Sequence, residues 1–182
     1  MDDADINKRF GFSSFLTDVD RASGVEIAIM DGKLYHDITN KLNTLMADAE
    51  SKYAYWNTGA IFIDYPTFYN LVRNKGPYDL KNQPDWQHDL FVYNNMIIRK
   101  DVPGNMLFGY LGKAMGIQEH VLLAGAGFAQ IQAGTSEWWW TLVSYGDDPQ
   151  DQYWIDYGFR TYRAKHGTTA LDYIGDLFKV YR

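Results

Sequence analysis

The side chains in this sequence best suited to chemistry are carboxylates placed at turns and at the starts of helices. Asp79 stands in GPYDLK, just past a segment that stops at Gly76-Pro77, and Asp101 follows the alternating run LFVYNNMIIR. Glu119 opens an apolar stretch, Glu137 precedes the tryptophans Trp138, Trp139 and Trp140, and Asp147, Asp148 and Asp151 gather in GDDPQDQ. Hydrolysis of a glycosidic bond needs one carboxylic acid to protonate the leaving oxygen. It needs a second carboxylate to act at the anomeric carbon, directly or through water. An Asp held among aromatic side chains can acquire the raised pKa that the acid role requires. Each acid also has a plainer reading. Asp148 and Asp151 suit helix capping, Glu119 suits the positive end of a helix dipole, and Asp79 suits a post-helix turn. Arg99 could do no more than pair with Asp101 and brace a hairpin. Asp147 is freer of such an explanation.

Other chemistries are less well supplied. There is no cysteine, which excludes disulfides, zinc–thiolate sites and thiol nucleophiles. The four histidines, His36, His88, His120 and His166, show no HExxH spacing, so a zinc peptidase is not expected. His88 or His120 with Lys81 would make the acid–base pair of a metal-free ribonuclease. Asp147 and Asp151 offer hard oxygen ligands for Mg²⁺, although the glycosidase reading calls for neither metal nor cofactor. GAGFAQ lacks the phosphate-loop pattern, and its glycines lie inside an apolar helical run. A formal net charge of −6 disfavours a polyanionic partner such as nucleic acid. The 14 Tyr, 10 Phe and 6 Trp exceed what a core of this size demands and leave flat surfaces for a ligand.

The elements that must position these groups follow from periodicity. The 182 residues, 46% hydrophobic and 22% charged, fit one folded domain. GVEIAIM and Lys33-Leu34-Tyr35 flank Asp31-Gly32 as a hairpin, and Asn94-Asn95 splits a second one. Apolar spacing predicts helices from Asp37 to about Tyr55, from Pro66 to Gly76, from Gly104 to Met115 and from Gln118 to Gln132. Two more follow, one capped by Asp148 with Pro149 at its first position and ended by Gly167, the other capped by Thr168. The Gln118–Gln132 segment is apolar nearly all round and is expected in the middle of the core. Gly112, Gly116, Gly125 and Gly127 are expected to admit close neighbours. The sum is a mainly α-helical α+β domain with a buried apolar helix and one or two β-hairpins. No run of 18 apolar residues is present to span a membrane. The polar N-terminus MDDADINKRFGF lacks a signal-peptide pattern, so export is expected to rest on a carrier.

Four pieces, in order, resemble the polymorphic toxin type 44 (bacterial toxin 44) family: NLVRNKGPYDLKNQ, RKDVPGNMLFGYLGKAMG, LLAGAGFAQIQAGT and YGDDPQDQYWIDYG. Residues 61–182 correspond to that domain, with residues 1–60 an adaptor or elaboration packed on it. The resemblance implies an antibacterial effector of interbacterial competition, delivered by a secretion apparatus or carrier protein and neutralised by a cognate immunity protein. It assigns no catalytic residues. The residues themselves favour a muramidase-like hydrolase on cell-wall glycan, acting in the target periplasm, with Asp79 as acid and Asp101, Asp147 or Asp151 as the second carboxylate. Lys81, Trp86, Arg99, Asn105, Glu137, Trp138, Trp139 and Gln152 are the expected substrate contacts. The order helix, acid-bearing loop, hairpin, apolar helix is similar to lysozyme-like domains. The alternatives are a cytosolic ribonuclease, using the histidines above, and a non-enzymatic binding module.

Overall fold

A computed structural model of the chain describes residues 26–54, 63–133 and 148–168. The expected helix capped by Thr168 falls outside them, as do Glu137, Trp138, Trp139, Trp140 and Asp147. The first hairpin pairs β1 (Glu26–Met30) with β2 (Lys33–Asp37), and the second pairs β3 (Leu90–Tyr93) with β4 (Met96–Arg99). Both turns use left-handed backbone: Asp31 and Gly32 have φ of 50° and 72°, Asn94 and Asn95 of 47° and 61°. Asp, Asn and Gly tolerate that region, which matches the strand twist. The two hairpins join into one four-stranded sheet through a parallel contact, His36 opposite Phe91 and Asp37 opposite Val92.

Between the hairpins lie α1 (Thr39–Tyr53) and α2 (Tyr65–Val72). The Asp37 side chain accepts from the Thr39 amide at 2.8 Å, just outside α1. Asp64 caps α2 by accepting from the Thr67 amide at 3.0 Å, with Pro66 in the first turn. The helix ends at Val72, four residues before Gly76. At Gly76 a Cβ would meet the carbonyl oxygens of Leu71, Arg73 and Asn70 at 2.6–2.9 Å. Only glycine lets the chain fold back there, and the fold-back carries Asp79 toward the core.

The centre of the domain is α3 (Val102–Ala114), whose Met106, Leu107, Leu111 and Ala114 are fully buried. Leu42, Met46 and Ala49 of α1 and Ile155 and Phe159 of α5 (Pro149–His166) belong to the same core. Asp148 caps α5, accepting from the Gln150 amide at 2.8 Å, and Gly167 ends it at φ 84°. The remaining helix, α4 (Glu119–Ala133), departs from expectation. It is not surrounded by core: Val121 is 37% exposed, and Ala124 and Gly125 are exposed. Its apolar outer face gave a misleading signal, because small residues are tolerated by water as well as by neighbours. The truly buried helix is α3.

The glycines divide in the same way. A Cβ on Gly109 would run into the backbone of Ile155, and one on Gly158 into the backbone of Met106 and Tyr110. Thus α3 and α5 meet backbone to backbone, through glycines the sequence pattern did not single out. Gly112 does admit a neighbour, the Leu122 side chain, whereas Gly125 has no described atom within 4 Å of a Cβ. Gly158→Ala should therefore lower stability by about 1–3 kcal/mol through overpacking. Gly125→Ala should raise it by up to about 1 kcal/mol through helix propensity. Urea denaturation of both variants checks the contrast, and equal effects would refute the assignment of the close contact.

Candidate functional site

Because α3 and α5 run side by side in the same direction, their first turns lie together. Asn105 Nδ2 donates to Asp151 Oδ1 at 2.8 Å, four residues before Gly109 packs against Ile155. Asp101, the residue before α3, does not cap its helix. Its carboxylate is instead held by Arg99 from β4, whose Nε donates at 3.1 Å and whose Nη2 pairs with the second oxygen. Asp101 and Asp151 also share a hydrogen bond with each other. A pair this close cannot comfortably ionise twice.

The two carboxyl groups are driven apart by their surroundings. Burial pushes Asp151 up, and the charges of Asp101 and Asp148 and its hydrogen bond to Asp101 push the same way. Arg99 opposes them only in part, and the result is a pKa of about 6. Burial would raise Asp101 too. Its hydrogen bonds from Arg99, from its own backbone amide and from Asp151, with the Arg99 charge, outweigh burial and hold it below the ordinary Asp range. The two therefore titrate apart, Asp101 below the ordinary Asp range and Asp151 above it, so that below about pH 6 a proton sits on Asp151 beside an ionised Asp101.

A third carboxylate faces them. Asp79, 8% exposed, sits in the loop after α2. Its Oδ2 accepts from the Lys75 amide at 2.7 Å and from Asn82 Nδ2 at 2.6 Å. The Lys75 amide is available because Lys75 takes a left-handed φ of 60°. Asn82 in turn is bonded to Asn74 at 3.3 Å, so the loop is tied to itself around the acid. Asp79, Lys81, Asp101, Asn105 and Asp151 line one cavity of about 130 Å³, together with Val72, Tyr78, Gly104 and Phe108. Five of the residues expected from sequence are thus brought together from three separate segments.

The other expected contacts are placed differently. Trp86 is only 4% exposed. Its ring packs edge-on against Phe91 at 5.9 Å and under Lys41 at 4.8 Å, so it is a core residue and not a sugar platform. Gln152 donates to the Leu123 carbonyl at 3.2 Å and ties α5 to α4. Arg99 borders a neighbouring groove while pairing with Asp101. His88 stacks on His36 with ring centroids 3.8 Å apart, and neither His88 nor His120 lines the carboxylate cavity. Glu119 forms ion pairs with Lys113 at 3.2 Å and Arg163 at 3.4 Å, a structural tie among α3, α4 and α5. Among the described residues no group of three His, Asp or Glu side chains is arranged to hold a metal ion, and no helix is long and apolar enough to cross a membrane. Sequence reasoning passed over Asn82, although its spacing of three from Asp79 is that of a side-chain partner across a tight turn.

The pair has a thermodynamic signature. A raised folded pKa means that Asp151 binds its proton more tightly folded than unfolded. That contribution is complete below about pH 4 and is lost as pH rises through about 6. Asp101 works in the opposite sense, contributing above about pH 4 and losing its contribution as pH falls through its lowered value. Asp151→Asn should accordingly stabilise the protein by about 1 kcal/mol more at pH 7 than at pH 4, after allowance for solvent screening. Asp101→Asn removes the neighbouring charge, so the Asp151 carboxyl carbon should titrate below 6 by NMR. An unchanged midpoint would show that the pair is not coupled.

The model of the family described as bacterial toxin 44 matches residues 67–164. That span holds all but the first two residues of α2, the Asp79 loop, the second hairpin, α3, α4 and all but the last two residues of α5. No curated protein matches the chain, and no solved structure does. The match covers more than half of the sequence and contains Asp79, Asp101 and Asp151, so this chain belongs to the bacterial toxin 44 family and is a bacterial toxin.

Proposed function

We propose that the toxin is a muramidase-like glycoside hydrolase acting on peptidoglycan, with Asp151 as general acid and Asp79 as the facing base. The observation that carries this reading is one cavity lined by Asp151, its pKa raised to about 6, on the helix wall and by Asp79 on the loop wall. Asp101 and Asp151 are too close to flank a scissile bond, since glycosidase carboxylates stand about 5 Å or more apart. The second carboxylate is then Asp79. Two donors already on Oδ2 suit it to accept, and its Oδ1 makes no hydrogen bond to a described residue. The sequence reading gave Asp79 the acid role; the hydrogen bonds favour the exchange.

In this scheme the Asp151 proton passes to the glycosidic oxygen as the bond to the anomeric carbon breaks. Water held by Asp79 attacks that carbon and leaves its proton on Asp79. Arg99 keeps Asp101 ionised, and Asp101 holds the proton on Asp151 until the leaving oxygen takes it. Asn105 orients Asp151 through its amide, and Lys81 borders the same cavity. A cavity of about 130 Å³ accommodates roughly four waters or the reacting atoms. A toxin with this activity would act in the target periplasm, reach it through a secretion apparatus or carrier, and require a cognate immunity protein in the producer. No observation at the cavity favours the ribonuclease alternative, because the histidines it needs lie elsewhere.

Incubation of the purified protein with peptidoglycan sacculi should release soluble muropeptides. Asp151→Asn and Asp79→Ala should each lower release by about 10²–10⁴-fold. Expression with a periplasmic leader should lyse cells, while expression without it should be harmless. Intact sacculi, or growth arrest only in the cytosol, would sink the reading. The rate should fall as pH rises through about 6, where Asp151 loses its proton, and Asp101→Asn should move that limb to lower pH.

A further inference from the structure

The carboxylate cavity is too small for a sugar residue. At about 130 Å³ it lies below the roughly 300–1,000 Å³ of small-molecule pockets. A second, larger depression is reached across the Arg99–Asp101 ion pair. This groove, about 460 Å³, lies between the β4 edge and the first turns of α5. Their linings are linked by neighbouring residues. Arg99 borders the groove and pairs with Asp101 in the cavity, and Gln150 of the groove precedes Asp151 of the cavity. We propose that this groove is the subsite that holds the pyranose residue next to the bond being cleaved. The assignment rests on the glycosidase reading above.

The lining fits an uncharged sugar. Tyr153 is 52% exposed, and Arg160 over its ring at 5.5 Å braces it. Trp154 stands edge-on to Tyr153 at 5.0 Å, and Ile97, 38% exposed, forms the opposite wall. Such rings meet the C–H face of a pyranose, with Tyr and Trp keeping a polar tip toward water. Gln150 and Arg99 at the rim can donate to hydroxyl or acetamido oxygens, and the Arg99 side chain is 54% exposed. A nucleotide fits less well, because its phosphates would approach Asp101, Asp148 and Asp151.

Binding can be separated from cleavage in an Asp151→Asn background. Co-sedimentation with purified sacculi should retain that variant. Adding Tyr153→Ala should weaken retention about tenfold, adding Tyr153→Trp should restore it, and adding Tyr69→Ala, an exposed tyrosine on α2, should change nothing. In the active protein Tyr153→Ala should raise KM more than it lowers kcat. If Asp151→Asn sediments and Tyr153→Ala sediments equally well, the groove is not the subsite while the glycan reading stands. If Tyr69→Ala weakens retention as much as Tyr153→Ala, binding is general aromatic adhesion and the groove assignment is overturned. If Asp151→Asn fails to sediment and the unmutated protein releases no muropeptides, the glycan reading falls and the sugar subsite falls with it.

Discussion

The structure depends on how closely two helices can approach. Gly109 on α3 and Gly158 on α5 each face the other helix's backbone, where a single methyl group would collide with main-chain atoms. A helix pair that meets in this way has its register set by the contact itself. It also runs parallel, so both N-termini arrive at the same end of the domain. The two first turns then bring their side chains and their positive dipole ends to one place.

The far end of the pair is fastened by buried charge. Glu119 reaches Lys113 on α3 and Arg163 on α5. Glu50 of α1 accepts from Tyr110, pairs with Lys165 at 2.9 Å and meets His166 Nε2 at 2.8 Å. Burial would raise the Glu50 pKa, but these partners outweigh it and hold the group below its ordinary value. Removing the cations would leave Glu50 and Glu119 charged in a poorly solvated place, which is why such networks fix a single arrangement. Glycines set the separation of the helices, and ion pairs set their relative rotation.

That rigidity is what keeps the Asp151 pKa raised. Asp101 and Asp151 would repel each other apart if their helices could slide, and the shared hydrogen bond would be lost. Held together, with Arg99 bonded to Asp101, they titrate apart, Asp101 below and Asp151 above the ordinary Asp range. Asp79 comes from a different construction, a loop folded back at Gly76 and tied by Asn82 and the Lys75 amide. The cavity exists because the loop packs over the helix N-termini. The ion pair of Arg99, on the larger aromatic groove, with Asp101, in the small polar pocket, links the two.

Local chemistry determined much of this protein before any tertiary contact. Both hairpins, the Asp148 cap, the Pro149 start and the Gly167 stop are fixed by residues within a few positions of one another, so they were legible from the chain. Asp79, Asp101 and Asp151 were also legible as acids at element ends, together with Lys81 and Asn105. Tertiary structure decided which of them meet. It buried Trp86, placed His88 and His120 outside the lining of the carboxylate cavity, left the outer face of α4 exposed, and joined the hairpins by a parallel contact that no turn signal announces. Those outcomes turn on which faces pack across long sequence separations. A glycine against a neighbouring backbone has the same sequence signature as a glycine in water, and only the folded chain tells them apart.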